Sequence, residues 1–256
     1  MPNISPKTIV EDGAQIADDA HIGPFCTIGR QVIIGPGCVI ENNTAISGMS
    51  ILAQRCRVGP QCVIGATEDG ARAGGLCYIG DDTVLREHAV VCGGFERATR
   101  IGQDNLLMVG CRVGAGATID DHGIFANATQ FGERCHVESY VRTSGFALIG
   151  EGVRVGAYAF VAAFVQVVRD APPFVMLQGM PLRVRGINTN NLERCGFEAE
   201  DIRALKAAVR ELYAADGTAP EAAVLERMLA AADLNPHVRR LAEALAGAEP
   251  PAGNHG

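Results

Sequence analysis

Over about two-thirds of the chain an aliphatic residue returns at every sixth position. Ile4, Val10, Ile16, Ile22, Ile28, Ile34, Ile40, Ile46, Leu52, Val58 and Ile64 keep that step without a break. It restarts at Ile79, Leu85 and Val91, slips by four residues, and runs again from Ile101 through Leu107, Val113, Ile119, Phe125, Phe131, Val137, Thr143, Ile149, Val155, Val161 and Val167. Among these anchors only Thr143 is not apolar. A six-residue period fits neither an amphipathic helix nor the two-residue alternation of a half-buried strand. It predicts a hexapeptide β-helix, three hexads to a triangular coil, with residues 18 apart stacked at the inter-strand spacing of about 4.8 Å.

Two further positions keep the same clock. The residue after the anchor is often glycine (Gly23, Gly35, Gly80, Gly114 and Gly132, for example), which is expected to let the chain turn a corner at low steric cost. Four residues after the anchor lies a second inward slot filled by small residues, among them Ala20, Thr44 and Ser50. It also takes Cys26, Cys38, Cys56, Cys62, Cys77, Cys111 and Cys135. Seven of the nine cysteines therefore read as small buried apolar residues in a reducing compartment, and no metal site is expected from them. Cys92 and Cys195 lie outside the slot.

The pattern places a β-helix over residues 1–172, with loops near 65–78 and 92–100. Asp170, Pro172 and Pro173 end it, and a connecting loop is expected over 173–191. A C-terminal helical domain is expected over 192–247 and a disordered tail over 248–256. Within the tail Ile202, Leu205, Val209 and Leu212 share one helix face, acidic residues open that helix, and Gly217 follows its end. Pro220 and Pro236 read as first-turn prolines of two more short helices.

Composition narrows the function classes. A net charge of −7 with no basic stripe excludes a nucleic-acid footprint. The start "MPNISPKTIVEDG" has neither a basic n-region nor an apolar h-region, and the most apolar stretch, "AYAFVAAFV", is too short to span a bilayer. A cytoplasmic protein with no membrane insertion is expected.

With the hexads in place, the chain resembles the acyl-carrier-protein-dependent UDP-N-acetylglucosamine O-acyltransferases of lipid A synthesis. The matching pieces are "HIGPF" from His21, "LRE" from Leu85, "DNLLM" from Asp104, and Ala126 with Asn127. They continue through "PPFV", Gln178 with Gly179, Asn188, Leu192, Arg194, and Gly196 with Phe197. The resemblance implies a left-handed parallel β-helix, a homotrimer with sites between neighbouring subunits, an acyl carrier protein as donor partner and a nucleotide sugar as acceptor, with no cofactor. It also implies a histidine general base, which takes the proton of the sugar hydroxyl as that oxygen attacks an acyl thioester.

Carried over residue by residue, that base falls on Ala115. Other active-site histidines of the family fall on Cys92, Arg112, Arg134 and Gly150, and a neighbouring glutamine falls on Glu151. Asp69 and Asn188 keep their family identities, and one of two adjacent phosphate-side arginines survives as Arg194 beside Cys195. The region that measures acyl-chain length reads "VAAFV", where Ala163 and Phe164 add volume. The substrate-binding set is thus Asp69, Arg112, Arg134, Gly150, Ala163, Gln178, Asn188 and Arg194.

The candidates for the missing base come from the coil geometry. Ala115, Glu133 and Glu151 share the position two after the anchor and form one column, so a carboxylate there is one candidate, against the plainer reading of a solvent-facing acidic corner. His122 lies one hexad further on another face, where in a trimer it meets a neighbour's groove. His136 and His88 are comparable, each balanced by a structural reading. Cys92 is either an acyl-enzyme nucleophile or a buried filler. Arg112 and Arg134 either bind an anion or pair with local acids. The expected function is a divergent acyltransferase acting on a UDP-sugar-like or altered acceptor. Its rivals are a catalytically inactive paralogue that binds nucleotide sugar or carrier protein, and a hexapeptide-fold enzyme of another reaction type on a carrier-tethered substrate.

Overall fold

A computed structural model of the chain describes residues 2–67, 75–214 and 216–247. Short strands wind into a triangular parallel solenoid whose three faces are sheets of eleven, nine and eight strands. Asn3 pairs with His21, Ile9 with Thr27 and Gln15 with Ile33, so each coil advances the predicted 18 residues. The insertions appear as longer steps. Met49 pairs with Leu76, 27 residues on, and Val84 with Leu106, 22 residues on, which adds nine and then four residues to a coil. We call the faces first (Asn3–Ile4 onward), second (Ile9–Val10 onward) and third (Gln15–Ile16 onward).

The anchors fill the core. Phe125 and Phe131 meet edge to face at 4.9 Å, both buried. Thr143 is buried as well, and its hydroxyl is used. It accepts from the Ala126 N–H at 3.1 Å and lies 2.7 Å from the Thr129 hydroxyl.

Two expectations change at the corners. The glycines after the anchor do not supply the turn conformation. The left-handed backbone falls two residues later and is often non-glycine, at Arg55, Asp104, His122 and Tyr140 with φ of 53° to 62°. What the anchor-plus-one position requires is the absence of a side chain. A Cβ on Gly35 lies 2.2 Å from the Ala53 carbonyl oxygen, and one on Gly132 lies 2.6 Å from the Glu151 amide nitrogen of the next coil. The slot, in turn, is more than small and apolar. Cys26 donates to the Glu41 carbonyl at 3.0 Å, Cys38 to Ala53 at 3.1 Å and Cys56 to Gly80 at 3.2 Å. Thr44 reaches Gly59 at 3.1 Å, Thr83 reaches Gly102 at 2.7 Å and Asn105 reaches Asp120 at 2.8 Å. Each slot donor satisfies the carbonyl that follows the anchor of the next coil, and a buried carbonyl left unpaired is costly. Cysteine serves there as a small side chain with a weak donor.

Where a connecting loop was expected over 173–191, the chain forms an antiparallel hairpin of Val175–Gln178 and Arg183–Ile187 that extends the first face. Among the described residues four helices follow: α1 (Thr189–Arg194), α2 (Ala199–Leu212), α3 (Ala222–Ala230) and α4 (Pro236–Ala246). The predicted face of α2, Ile202, Leu205, Val209 and Leu212, is buried. Pro236 opens α4, where the Asn235 side chain accepts from the His237 and Val238 amides. Pro220 instead precedes the N-cap Glu221 of α3, and Gly217 accepts from the Val184 N–H of the hairpin rather than closing α2. Residues 248–256 lie outside the described residues. No described helix is long and apolar enough to cross a membrane.

The tail is seated on the last coils by polar contacts. Glu138, only 11% exposed, accepts from Arg154 Nε at 2.7 Å, the Ala157 N–H at 2.9 Å and Arg240 of α4 at 3.0 Å. Asn188 Nδ2 donates to the Tyr158 carbonyl at 2.9 Å and Asn191 Nδ2 to that of Tyr140 at 2.8 Å, which ties α1 to two successive coils.

Candidate functional site

The sequence-selected residues divide among the three corners of the solenoid. Ala115, Glu133 and Glu151 do stack at the corner between the second and third faces. The Arg134 amide donates to the Ala115 carbonyl at 3.0 Å, and the Gly152 amide to that of Glu133 at 2.8 Å. Gly150 shares the corner, and the 92–100 insertion folds against it, so that Phe95 and Arg97 line a shallow recess with Ala115 and Glu133. Arg134 bonds to both carboxylates of the column, to Glu133 at 3.4 Å and also to Glu151. The plainer reading of these three residues, local ion pairing at an exposed corner, is the geometry observed. Arg112 lies on the second face beside Gln130. Cys92 ends a strand of that face and is 2% exposed, packed near Cys77, whose thiol burial pushes up to about 12. A thiol so enclosed meets an acyl donor only if the coil opens.

Ala163 and Phe164 lie at the corner between the first and second faces. Phe164 is stacked on Phe146 at 5.2 Å, and both rings are exposed. Gln178 is exposed at the end of its hairpin strand. Asp69 lies outside the described residues.

The corner between the third and first faces holds His122, with Arg194 beside it. Here the left-handed positions of successive coils form a ladder of Arg55, Asp82, Asp104, His122, Tyr140, Tyr158 and Phe174. Arg55 pairs with Asp82 at 2.6 Å. Asp104 lies 2.9 Å from His122 Nδ1, and the His122 ring stacks on Tyr140 at 4.7 Å. Tyr140 stacks on Tyr158 at 4.9 Å and Tyr158 on Phe174 at 5.8 Å, with Phe197 set edge-on against Tyr158. Beside the ladder runs an open groove of about 730 Å³, walled by Asp104, Asn105, His122, Tyr140, Arg142, Tyr158, Arg194 and Cys195. Arg142 donates through Nε to Asn191 Oδ1 at 2.6 Å, which fixes its guanidinium at the groove wall. Burial pushes the Cys195 thiol up, partly offset by Arg142. The groove therefore offers a histidine held by a carboxylate and two guanidiniums suited to an anionic ligand.

Sequence reasoning selected His122 and Arg194 separately and missed Asp104, Tyr140, Tyr158 and Arg142 as their companions. The signal was present, since residues 122, 140 and 158 keep the 18-residue step three places after an anchor.

Comparison with known proteins finds family matches in two separate parts of the chain. Residues 170–251 match the family described as UDP-N-acetylglucosamine O-acyltransferase, domain 2, and residues 7–42 match the bacterial transferase hexapeptide repeat. LpxA from Acinetobacter baumannii superposes with a TM-score of 0.87 at 25% identity, covering 96% of this chain and 97% of that one. The UDP-N-acetylglucosamine acyltransferase of Francisella novicida gives 0.87 at 26%, covering 96% and 92%. LpxA from Bacteroides fragilis, a UDP-N-acetylglucosamine acyltransferase, gives 0.88 at 27%, covering 96% and 98%. The solenoid is thus the left-handed β-helix of that class. In fold, in length and in its C-terminal domain the chain resembles the hexapeptide-repeat UDP-N-acetylglucosamine O-acyltransferases.

Proposed function

We propose that the protein transfers an acyl group from a carrier-tethered thioester to a hydroxyl of a UDP-sugar-like acceptor, and that 3-O-acylation of UDP-N-acetylglucosamine itself is weak. The observation that carries this reading is the groove at the third corner. There Arg194, from the tail matched by the acyltransferase family, meets side chains of successive solenoid coils. In this reading part of the substrate frame of an acyltransferase survives, while the family's base position falls on Ala115, which cannot accept a proton. A general base contributes ~10²–10⁴-fold in acyl transfer, so its loss from one corner either silences the reaction or moves it to another group. The acceptor's anionic portion is assigned to Arg194 and Arg142, with Asn188 docking the start of α1, the helix that carries Arg194. The remaining substrate-side candidates, Arg112, Arg134, Gly150, Ala163, Gln178 and Asp69, belong in this reading to the neighbouring subunit's wall in a homotrimer. The exposed Phe146–Phe164 stack narrows the space for a long acyl chain at the corner between the first and second faces.

The test is release of free thiol from acyl-pantetheines of several chain lengths, with and without a panel of UDP-sugars, followed by mass analysis of the product. Acceptor-dependent thiol release with an acylated UDP-sugar supports the reading. Binding of UDP-sugars without any transfer, from any donor, replaces it with the non-catalytic paralogue.

A further inference from the structure

We propose that His122, oriented by Asp104, is the general base of this protein and that the reaction centre lies in the third-corner groove, a full face away from Ala115. The inference rests on the acyl-transfer reading above and adds the group that moves the proton. An ionised carboxylate only accepts, so the 2.9 Å contact to Asp104 Oδ2 places the His122 proton on Nδ1 and leaves the Nε2 lone pair to receive another. The ring plane is set independently by stacking on Tyr140 at 4.7 Å and 22°. Tyr140 is itself held against Tyr158, and its carbonyl is held by Asn191. The imidazole is about one-third exposed and lines the groove that holds Arg142 and Arg194. A base oriented by a third group, beside cations that hold an anionic substrate, is the arrangement general-base catalysis needs.

The other candidates lack one of these parts. Glu133 and Glu151 are bonded to Arg134. His136 is paired through Nε2 with Asp120 at 3.1 Å and stands on the third face outside the groove. His237 is packed against Phe197 and paired with Asp201 at 3.7 Å. His88 is exposed at a different corner.

In the step assigned here, the acceptor hydroxyl gives its proton to His122 Nε2 as its oxygen forms a C–O bond to the thioester carbonyl carbon. Asp104 stabilises the imidazolium. Collapse of the tetrahedral intermediate breaks the C–S bond, and the imidazolium returns the proton to the departing thiolate. An acyl ester and a free carrier thiol result, with no net redox change.

The experiment uses the full chain with acyl-pantetheine as donor and the UDP-sugar that gives the fastest wild-type thiol release. His122→Gln is expected to lower kcat by ~10²–10⁴-fold with KM within about threefold of wild type. Asp104→Asn should lower kcat by a smaller factor, and Arg194→Gln should raise KM. In His122→Gly, whose left-handed backbone suits glycine, added imidazole should restore a saturable part of the rate. A merely structural histidine gives no such rescue. Equal turnover by wild type and His122→Gln overturns the base assignment and leaves acyl transfer standing. A wild type silent with every donor and acceptor removes the acyl-transfer reading, and the base with it.

Discussion

Glu138→Gln is the substitution that most cleanly separates the tail's seating from the solenoid's own stability. Glu138 faces Arg154 of its neighbouring coil, the Ala157 N–H and Arg240 of α4, and its side chain is 11% exposed while the two guanidiniums are 59% and 50% exposed. Glutamine keeps the size and one acceptor oxygen but loses the charge. Each charge-assisted bond exceeds a neutral one by about 1 kcal/mol, which for three partners gives about 3 kcal/mol. Solvent screening of the two half-exposed guanidiniums reduces this to about 2 kcal/mol. At about 2–4 °C per kcal/mol for a chain of this size, the first melting transition should fall by about 4–8 °C. Unfolding of a solenoid with an appended helical domain need not be all-or-none, so the location matters as much as the shift. Hydrogen exchange should accelerate in α4 and leave the coils before Ala115 unchanged. The pH dependence follows from the sign of the shift. Burial alone would push the Glu138 carboxyl up, but Arg154, the Ala157 N–H and Arg240 outweigh it and hold the carboxyl below its ordinary range. The stabilisation is therefore fully present above the ordinary carboxylate pKa of about 4.3 and is lost as pH falls through the folded value. Wild type and Glu138→Gln should converge in stability in that acidic window. An unchanged melting point at neutral pH, or faster exchange spread evenly along the coils, would refute the clamp.

Other outcomes follow from the same contacts. Thr83→Val removes the donor to the Gly102 carbonyl and the acceptor for the Asn105 N–H, and should cost ~1–3 kcal/mol in urea unfolding, whereas a change under about 0.5 kcal/mol would deny the slot its polar role. Burial raises the thiols of Cys62 and Cys111 to about 11 and of Cys77 and Cys135 to about 12, so native protein at pH 8 should react slowly at these four cysteines and faster at half-buried Cys195. Full labelling of all nine thiols only in denaturant is the expected contrast. Light scattering should give a trimer that survives chelator and reductant, and a monomer, or collapse under either reagent, would count against the proposed assembly. Glu151→Gln should leave any acyl-transfer rate within about twofold of wild type, because the carboxylate is engaged with Arg134.

The period of six made the solenoid legible because inward packing is local and repeats every hexad. The register follows from it, and the two longer steps match the breaks at 65–78 and 92–100. The hairpin of Val175–Gln178 and Arg183–Ile187 was hidden because its strands are short and lie among prolines and glycines that read as loop. The site was harder for a different reason. Hexad position tells which corner a residue occupies but not its neighbours' side-chain reach, so His122 was visible while its hold by Asp104 across one coil was not. Cys92 read either as a nucleophile or as a buried filler, because the four-residue slip obscures its register, and the coil encloses it. Asn188 and Asn191 come after the repeat ends, and their docking onto the Tyr158 and Tyr140 carbonyls depends on the tail's fold rather than on any local pattern.

The central claim, an acyltransferase frame whose base has left the Ala115 corner, is tested most directly by one comparison of acyl transfer. Wild type, Ala115→His and His122→Gln are given the same acyl-carrier donor and UDP-N-acetylglucosamine beside the best alternative UDP-sugar, and acylated product is quantified by mass. The account predicts little 3-O-acylated UDP-N-acetylglucosamine from wild type. It also predicts little recovery in Ala115→His, since Arg112, Arg134, Gly150 and Glu151 surround that corner and misplacement by about 1 Å costs ~10²-fold. Transfer to the alternative acceptor should be lost in His122→Gln. Robust 3-O-acylation of UDP-N-acetylglucosamine by wild type, unchanged in His122→Gln, would contradict it.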